Sequence, residues 1–207
     1  MIEIKQVSLK MKKKEILHNI SASFADGEIH GLVGRNGCGK TMLMKCICGF
    51  VRPTSGTICV NDKIVGTDVD FPEKLGVIIE TPVFIPYLSG YRNLKILSEY
   101  RHCISKQEIY EVLKTVGLEN AGKLPVRKYS LGMRQRLGIA QAIMENPDVL
   151  VLDEPFNGLD RQGVLEMREI LLGMCEKGKN IVIASHSEED IGILCNNVLH
   201  MENGILS

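Results

Sequence analysis

The sequence predicts an α/β fold in which buried strands alternate with helices, and three observations support it. The apolar run at residues 27–33 has strand length and leads straight into a glycine-rich loop followed by a helical pattern. Two further apolar runs, at residues 149–152 and 180–184, are also strand-sized, and a helical pattern separates them. Strands and helices that alternate in this way indicate an α/β core with a parallel sheet.

Composition limits the classes of function. The chain has 207 residues, with 25 basic and 25 acidic side chains, so it lacks the positive charge expected of a nucleic-acid binder. Its seven cysteines are an odd number without paired CxxC spacing, which predicts reduced thiols and no cysteine metal site. No apolar run approaches the roughly 18 residues of a membrane helix, and no signal-peptide pattern is present. We expect one domain, residues 1–207, that reaches a membrane only through partners.

The N-terminal part predicts an antiparallel β-subdomain. Residues 2–9 alternate like a half-buried strand, and the polar stretch MKKKE that follows predicts a turn. Residues 41–50 have the length and apolar spacing of a helix. The runs at 56–60 and 63–65 flank Asn61-Asp62 and predict a hairpin.

Residues 83–145 predict a helical subdomain inserted into the core. Residues 91–102 have a helical pattern, and Ser105 with Glu108 forms a capping-box signature before the next apolar stripe. Another helix is predicted from residue 132 up to Asn146-Pro147. Beyond the insertion, Gly178 ends a helix and Asn203-Gly204 marks a closing hairpin.

The segment GRNGCGKT fits the phosphate-loop pattern GxxxxGK[ST]. Glycines allow successive backbone N–H groups to face phosphate oxygens, Lys40 can reach the β- and γ-phosphates, and Thr41 can ligate Mg²⁺. An ordinary glycine-rich turn is the alternative, but a predicted strand before the loop and a helix after it favour a nucleotide site. The predicted nucleotide contacts here are Gly34, Arg35, Asn36, Gly37, Cys38, Gly39, Lys40, Thr41 and Met42.

The run VLVLDEP ends a predicted buried strand on two carboxylates. Asp153 would hold Mg²⁺, and Glu154 would accept a proton from the water that attacks the γ-phosphate, or orient it. The alternative is a strand that simply reaches solvent. His186 follows another strand, and the parallel-sheet rule places it at the same edge as this acid pair. It is either a γ-phosphate contact or a surface or capping residue.

The segment YSLGMRQ places Ser130 and Gly132 at the start of a helix. A capping hydroxyl and free N–H groups can bind an anion, although a simple N-cap explains the same residues. One γ-phosphate does not need two helix ends from one chain. This second end could therefore serve a nucleotide bound to another copy.

In order, five motifs resemble those of the ATP-binding cassette (ABC) transporters, over essentially the whole chain: GRNGCGKT, YSLGMRQ, VLVLDEP, NGLD at 157–160 and the ASH that ends at His186. This resemblance implies a P-loop NTPase (RecA-like) core and a requirement for ATP and Mg²⁺. It further implies that Ser130 and Gly132 bind the γ-phosphate of ATP held by the other subunit of a head-to-tail dimer. Glu154 would be the catalytic base, and Asp160 would bridge the dimer interface.

The sequence departs from the common family pattern at Glu80, at Met11, and in the signature segment, where Leu131 and Met133 replace small and amide residues. Glu80 stands where most members have a glutamine, and IIETP with SLGMRQRLGIA looks most like the bacitracin-transport and lantibiotic-immunity group. A carboxylate favours a metal over bare phosphate, so we expect Glu80 to contact Mg²⁺. Met11 occupies the place where an aromatic ring usually stacks on adenine. The lysines of residues 12–14 could compensate through phosphates, or form a solvated turn.

The predicted function is the ATP-hydrolysing subunit of a bacterial exporter. It would be cytoplasmic and peripheral on the inner face of the membrane, docked through residues 80–100 on membrane-spanning permease subunits. It would pair with a second copy or another ABC ATPase subunit, without nucleic acid. The alternative is a soluble ABC ATPase outside transport, such as an iron-sulfur assembly module.

Overall fold

The computed structural model describes residues 1–12 and 14–207 of the chain. Lys13, one of the predicted turn lysines, lies outside the described residues. The strands are β1 (Ile2–Met11), β2 (Lys14–Phe24), β3 (Ile29–Val33), β4 (Ser55–Val60), β5 (Lys63–Ile64), β6 (Leu75–Ile78), β7 (Val149–Asp153), β8 (Asn180–Ala184), β9 (Asn197–Glu202) and β10 (Ile205–Leu206). The helices are α1 (Lys40–Ile47), α2 (Gly90–Arg101), α3 (Lys106–Thr115), α4 (Leu131–Ile143), α5 (Arg161–Cys175) and α6 (Glu188–Leu194), with a 3₁₀ turn at Val126–Lys128.

The strands form two sheets. The larger has the order β10-β9-β3-β8-β7-β6, and its pairs β9–β3, β3–β8, β8–β7 and β7–β6 are parallel. The smaller sheet, β2-β1-β4-β5, is antiparallel. The predicted parallel core and the predicted N-terminal antiparallel part are both present.

The central strands bury both faces, which explains their continuous apolar runs. In β7, Val149 and Val151 pack into a core shared with the antiparallel sheet and α1. Leu150 and Leu152 point the other way, into a core shared with α2 to α5. Because successive side chains of a strand point to opposite faces, the parallel sheet contributes to both buried clusters.

Helices α2, α3 and α4 fall within residues 83–145. The predicted capping box of α3 is confirmed, because the Ser105 side chain accepts from the Glu108 N–H while the Glu108 side chain accepts from the Ser105 N–H. Side chains of this segment, including Leu94, Ile109 and Leu137, share one buried cluster with the parallel sheet. This segment is therefore packed onto the core through an apolar face.

Both predicted hairpins are present, and their turn residues have the expected backbone conformation. Asn61 and Asp62 have φ of 48° and 62° between β4 and β5, and Asn203 and Gly204 have φ of 48° and 80° between β9 and β10. Positive φ at both central residues suits the twist of a two-residue hairpin. Among the described helices, none combines the length and hydropathy that a membrane span requires.

Candidate functional site

The phosphate loop connects the carboxyl end of β3 to the first turn of α1. Gly34, Gly37 and Gly39 have positive φ of 153°, 76° and 120°. At Gly34 a Cβ atom would also lie 2.2 Å from the Met201 carbonyl oxygen of β9. Only glycine fits here, both because the backbone is left-handed and because the neighbouring strand leaves no room.

Lys40 is folded back over this loop. Its ammonium donates to the carbonyl oxygens of Gly34 at 2.6 Å and Arg35 at 3.2 Å. The side chain is buried, so these backbone oxygens supply the partners that its charge needs. The cation is therefore held inside the curl of the loop.

Thr41 and Asp153 bring two motifs together. The Thr41 hydroxyl, on the first turn of α1, donates to Asp153 Oδ2 at the end of β7 with a distance of 2.7 Å. The two residues are 112 positions apart in the chain. Parallel strands ending at one edge of the sheet create this contact, as the parallel-sheet rule predicts.

Glu154 and His186 meet at the same edge. Asp153 pairs with Ala184 across β7 and β8, and the Glu154 N–H donates to the Ala184 carbonyl at 2.9 Å. The imidazole Nε2 of His186 lies 3.3 Å from Glu154 Oε1. This is an ion-pair distance without hydrogen-bond geometry, and Oε1 is buried with no hydrogen-bond partner among the described residues. A buried carboxylate oxygen without a partner is well placed to accept a proton from a substrate water.

The environment of Glu154 changes its acidity. Burial raises the pKa of this carboxyl above its ordinary value, and the adjacent His186 offsets part of the rise. A base with a pKa closer to neutrality accepts a proton more readily. The backbone of Glu154 is itself constrained, since its φ is 48° in a residue that is not glycine.

Gln135 of α4 holds the backbone turn at Glu154 and Pro155 by hydrogen bonds. Its side-chain amide donates to the carbonyl oxygens of Pro155 at 2.8 Å and Glu154 at 3.3 Å, and the side chain is buried. Gln135 is not among the site residues that the sequence predicts. It stands between Arg134 and Arg136, so no local pattern marks it as a buried residue.

These groups line a cleft of about 570 Å³. Its walls include Lys40, Thr41, Asp153, Glu154 and His186. Further lining comes from the loop residues Asn36 to Gly39, from Met42, from Lys14, Glu15, Ile16 and His18 on β2, and from Asn203 and Gly204. Lys14 is one of the lysines expected either to contact phosphates or to form a solvated turn, and it lines the cleft from β2. The other β2 and hairpin residues were not predicted as site residues, because nothing in their own stretches indicates a ligand.

The β9–β10 hairpin is tied to the phosphate loop by backbone hydrogen bonds. The Gly204 N–H donates to the Cys38 carbonyl at 2.8 Å, and the His18 N–H donates to the Gly204 carbonyl at 2.8 Å. The hairpin thus connects β2 to the loop. It completes the wall of the cleft on that side.

Ser130 and Gly132 do not line this cleft. The Ser130 hydroxyl accepts from the Met133 N–H at 3.1 Å, so Ser130 is the N-cap of α4. A Cβ at Gly132 would lie 2.9 Å from the Gly158 carbonyl, and Asp160 caps α5 through the Gly163 N–H at 2.8 Å. The start of α4 and the 157–160 loop therefore adjoin one another, apart from the cleft lining of the same chain.

Glu80 and Met11 are also outside the lining of the cleft. Glu80 follows β6 by two residues, at φ of 63°, and its carboxylate accepts from Lys45 Nζ on α1 at 2.6 Å. Met11 ends β1 and is exposed. Among the described contacts, neither side chain is hydrogen-bonded to Thr41 or Asp153.

Comparisons with known proteins agree with this geometry. A model of the family described as ABC transporter matches residues 17–157. An uncharacterized ABC transporter ATP-binding protein of Bacillus subtilis (strain 168), YybJ, is 45% identical over 206 residues, covering 100% of this chain and 94% of that protein. The bacitracin transport ATP-binding protein BcrA of Enterococcus faecalis is 39% identical over 211 residues, covering 99% of this chain and 67% of BcrA.

A solved structure has the same fold. It is described as the structure of an ATP-binding subunit of an ABC transporter, with a TM-score of 0.90 and 25% identity. The match covers 100% of this chain and 88% of that one. Such a match over the whole chain confirms the predicted fold class.

Proposed function

The chain belongs to the ABC transporter family as an ATP-binding subunit that hydrolyses ATP, and from this premise we propose that it powers a bacterial exporter. The observation that carries the proposal is the convergence of Lys40, Thr41, Asp153, Glu154 and His186 on one cleft. The comparisons favour transport over the soluble non-transport alternative. Similarity to BcrA supports efflux of an antimicrobial peptide or drug as the class of cargo.

Magnesium fits the residues at the junction of loop and strand. The Thr41 hydroxyl and Asp153 carboxylate are oxygen ligands 2.7 Å apart, and Mg²⁺ prefers a few such ligands together with waters and substrate phosphates. Within residues 1–12 and 14–207, no group of three or more His, Cys, Asp or Glu side chains could hold a metal ion. When bound, Mg²⁺ would neutralise charge on the β- and γ-phosphates.

The chain's own residues supply the rest of the chemistry. Lys40 would exchange its carbonyl partners for the β- and γ-phosphates, while loop N–H groups bind the phosphate oxygens. Glu154 would take a proton from the attacking water as its oxygen bonds to the γ-phosphorus and ADP leaves. His186, beside Glu154, would donate to the γ-phosphate. Catalysis then depends mainly on position and charge.

The second helix end would serve a second chain. Ser130 and Gly132 adjoin the 157–160 loop and do not line the cleft of their own chain. We propose that they bind the γ-phosphate of ATP on a partner copy, or on another ABC ATPase subunit, in a head-to-tail dimer with Asp160 at the interface. The Ser130 oxygen accepts from the Met133 N–H, so its hydroxyl proton can be donated to an anion at this helix N-terminus.

The remaining predicted contacts are also proposals. Permease subunits would dock near residues 80–100, where Val83 and Tyr87 are exposed. The chain would thereby be held at the inner face of the membrane. Glu80 as a metal contact and Met11 as a base contact stay predictions, and in this structure Glu80 Oε1 accepts from Lys45.

Sedimentation of the Glu154→Gln protein, with and without MgATP, tests the sandwiched dimer. Blocking hydrolysis should trap a closed state, so we expect an ATP-dependent shift from monomer to dimer. Adding Ser130→Ala should weaken that shift, whereas Ser105→Ala, which removes the cap of α3, should not. A protein that binds ATP and stays monomeric would contradict closure by two copies alone.

A further inference from the structure

The segment that carries His186 is held by a buried ion pair outside the cleft. Arg168, on α5, donates through Nε to Asp190 Oδ1 at 3.0 Å, and its Nη2 contacts the same oxygen. The Arg168 and Asp190 side chains are only 7% and 8% exposed. Neither residue lines the cleft or belongs to any motif identified in the sequence.

From this ion pair, hydrogen bonds lead to both neighbours of His186. The Ser185 hydroxyl lies 3.4 Å from Asp190 Oδ2, and it accepts from the Ser187 N–H at 3.1 Å. The Ser187 hydroxyl accepts in turn from the Asp190 N–H at 3.1 Å. The backbone on either side of His186 is therefore tied to Asp190.

His186 itself has few constraints of its own. Its side chain is 49% exposed, and its described ionic contact is the one with Glu154. A half-exposed imidazole would take several rotamers and backbone positions unless its segment were fixed. The fixed segment explains why Nε2 comes to 3.3 Å from Glu154 Oε1.

We propose that Arg168 and Asp190 are positioning residues, which act through Ser185 and Ser187 to hold His186 against Glu154. The proposal rests on the proposed role of His186 at the γ-phosphate. Because Asp160 caps the same helix that carries Arg168, the ion pair also connects the 157–160 loop to the His186 segment. Replacing a buried ion pair with apolar side chains is often neutral or stabilising, so stability alone does not account for Arg168 and Asp190.

The first test is steady-state ATP hydrolysis by the purified full chain. Asp190→Asn keeps the shape of the side chain and removes the charge that pairs with Arg168. A displaced catalytic group loses rate steeply, so we expect kcat to fall about 10-fold while the KM for ATP changes less than about twofold. The matched control is Glu189→Gln, which removes the 75% exposed second partner of Arg168 and should leave kcat unchanged.

A second variant separates positioning from folding. Arg168→Met combined with Asp190→Leu replaces the ion pair with apolar side chains, an exchange that is often neutral or stabilising. Its thermal unfolding midpoint should therefore stay at or above that of the native chain, while kcat falls as in Asp190→Asn. Full kcat in this folded variant would overturn the proposal.

The background of His186→Ala provides the decisive comparison. If Asp190 acts through His186, then Asp190→Asn should reduce kcat by less than about twofold once His186 is absent. An undiminished loss in that background would overturn the proposal, and this comparison stands even if the apolar variant does not fold. Full activity of His186→Ala alone would instead refute the proposed role of His186, and the positioning role with it.

Discussion

At the scale of single residues, Glu154 is the clearest case of function set against stability. Its carboxylate oxygen Oε1 is buried without a hydrogen-bond partner among the described residues, and its backbone lies at φ of 48°. Both features cost free energy of folding. The same features leave a carboxylate ready to receive a proton from water.

We predict that Glu154→Gln stabilises the folded chain at neutral and alkaline pH. Since burial raises the pKa of Glu154 in the folded state, the native chain loses stability as pH rises through that pKa, and the amide does not. The difference should vanish below the pKa of the unfolded carboxyl. Urea unfolding from pH 4 to pH 8 measures it, and an equal stability difference at every pH would contradict the assignment.

A site residue can be predicted from the sequence when its function requires a recognisable local motif. Lys40, Thr41 and the Asp153-Glu154 pair stand in patterns that the phosphate site itself requires, so the sequence alone indicates them. Arg168 and Asp190 come together across two helices, 22 positions apart, and no periodic pattern marks such a pair. Their role is visible only in three dimensions.

At the scale of elements, α4 connects two parts of the mechanism. Its first turn carries Ser130 and Gly132, and five positions after Ser130 the buried Gln135 holds the carbonyls of Glu154 and Pro155. A shift of this helix would therefore move the turn that carries the catalytic carboxylate. One helix thus positions both the proposed partner-nucleotide contacts, Ser130 and Gly132, and the turn of Glu154.

We predict that Gln135→Leu lowers both stability and ATP hydrolysis. The two carbonyl oxygens would lose their buried donor, which costs about 1–3 kcal/mol, and the Glu154 turn would loosen. Urea unfolding and kcat should both fall. Gln162→Leu is the matched control, because among the described residues the Gln162 amide donates only to the exposed Glu166 on α5. Native kcat in a destabilised Gln135→Leu protein would contradict the link to catalysis.

Strands that are buried on both faces are predicted well from the sequence, whereas half-exposed strands and short helices are predicted less well. β7 and β8 contain the apolar runs 149–152 and 181–184, because both faces of these strands pack into a buried cluster. β2 was not predicted as a separate strand, since its pairing with β1 shifts register between Ile4 and Lys10 and its pattern is irregular. Helix α6 was missed because it is only seven residues long, although its serine cap and the three acidic residues of its first turn are signals of a helix start.

At the scale of the whole molecule, the order of strands creates the site. β3 lies between β8 and β9, and β7 follows β8, so the phosphate loop, Asp153-Glu154 and the His186 segment leave the same edge of the sheet. The sequence predicts this meeting because parallel strands share their carboxyl edge. It does not predict that β2 and the β9–β10 hairpin close the cleft, since that depends on how the antiparallel sheet and the end of the larger sheet meet at the phosphate loop.

The most direct test is ATP hydrolysis measured in a single turnover, together with equilibrium ATP binding, for the native chain and Glu154→Gln. We expect the variant to bind MgATP as the native chain does and to hydrolyse it at least about 100-fold more slowly, because a general base contributes about 10²–10⁴-fold. Glu189→Gln should match the native chain in both measurements. Hydrolysis by Glu154→Gln at the native rate would contradict the role of Glu154, and with it the assignment of this cleft as the catalytic site.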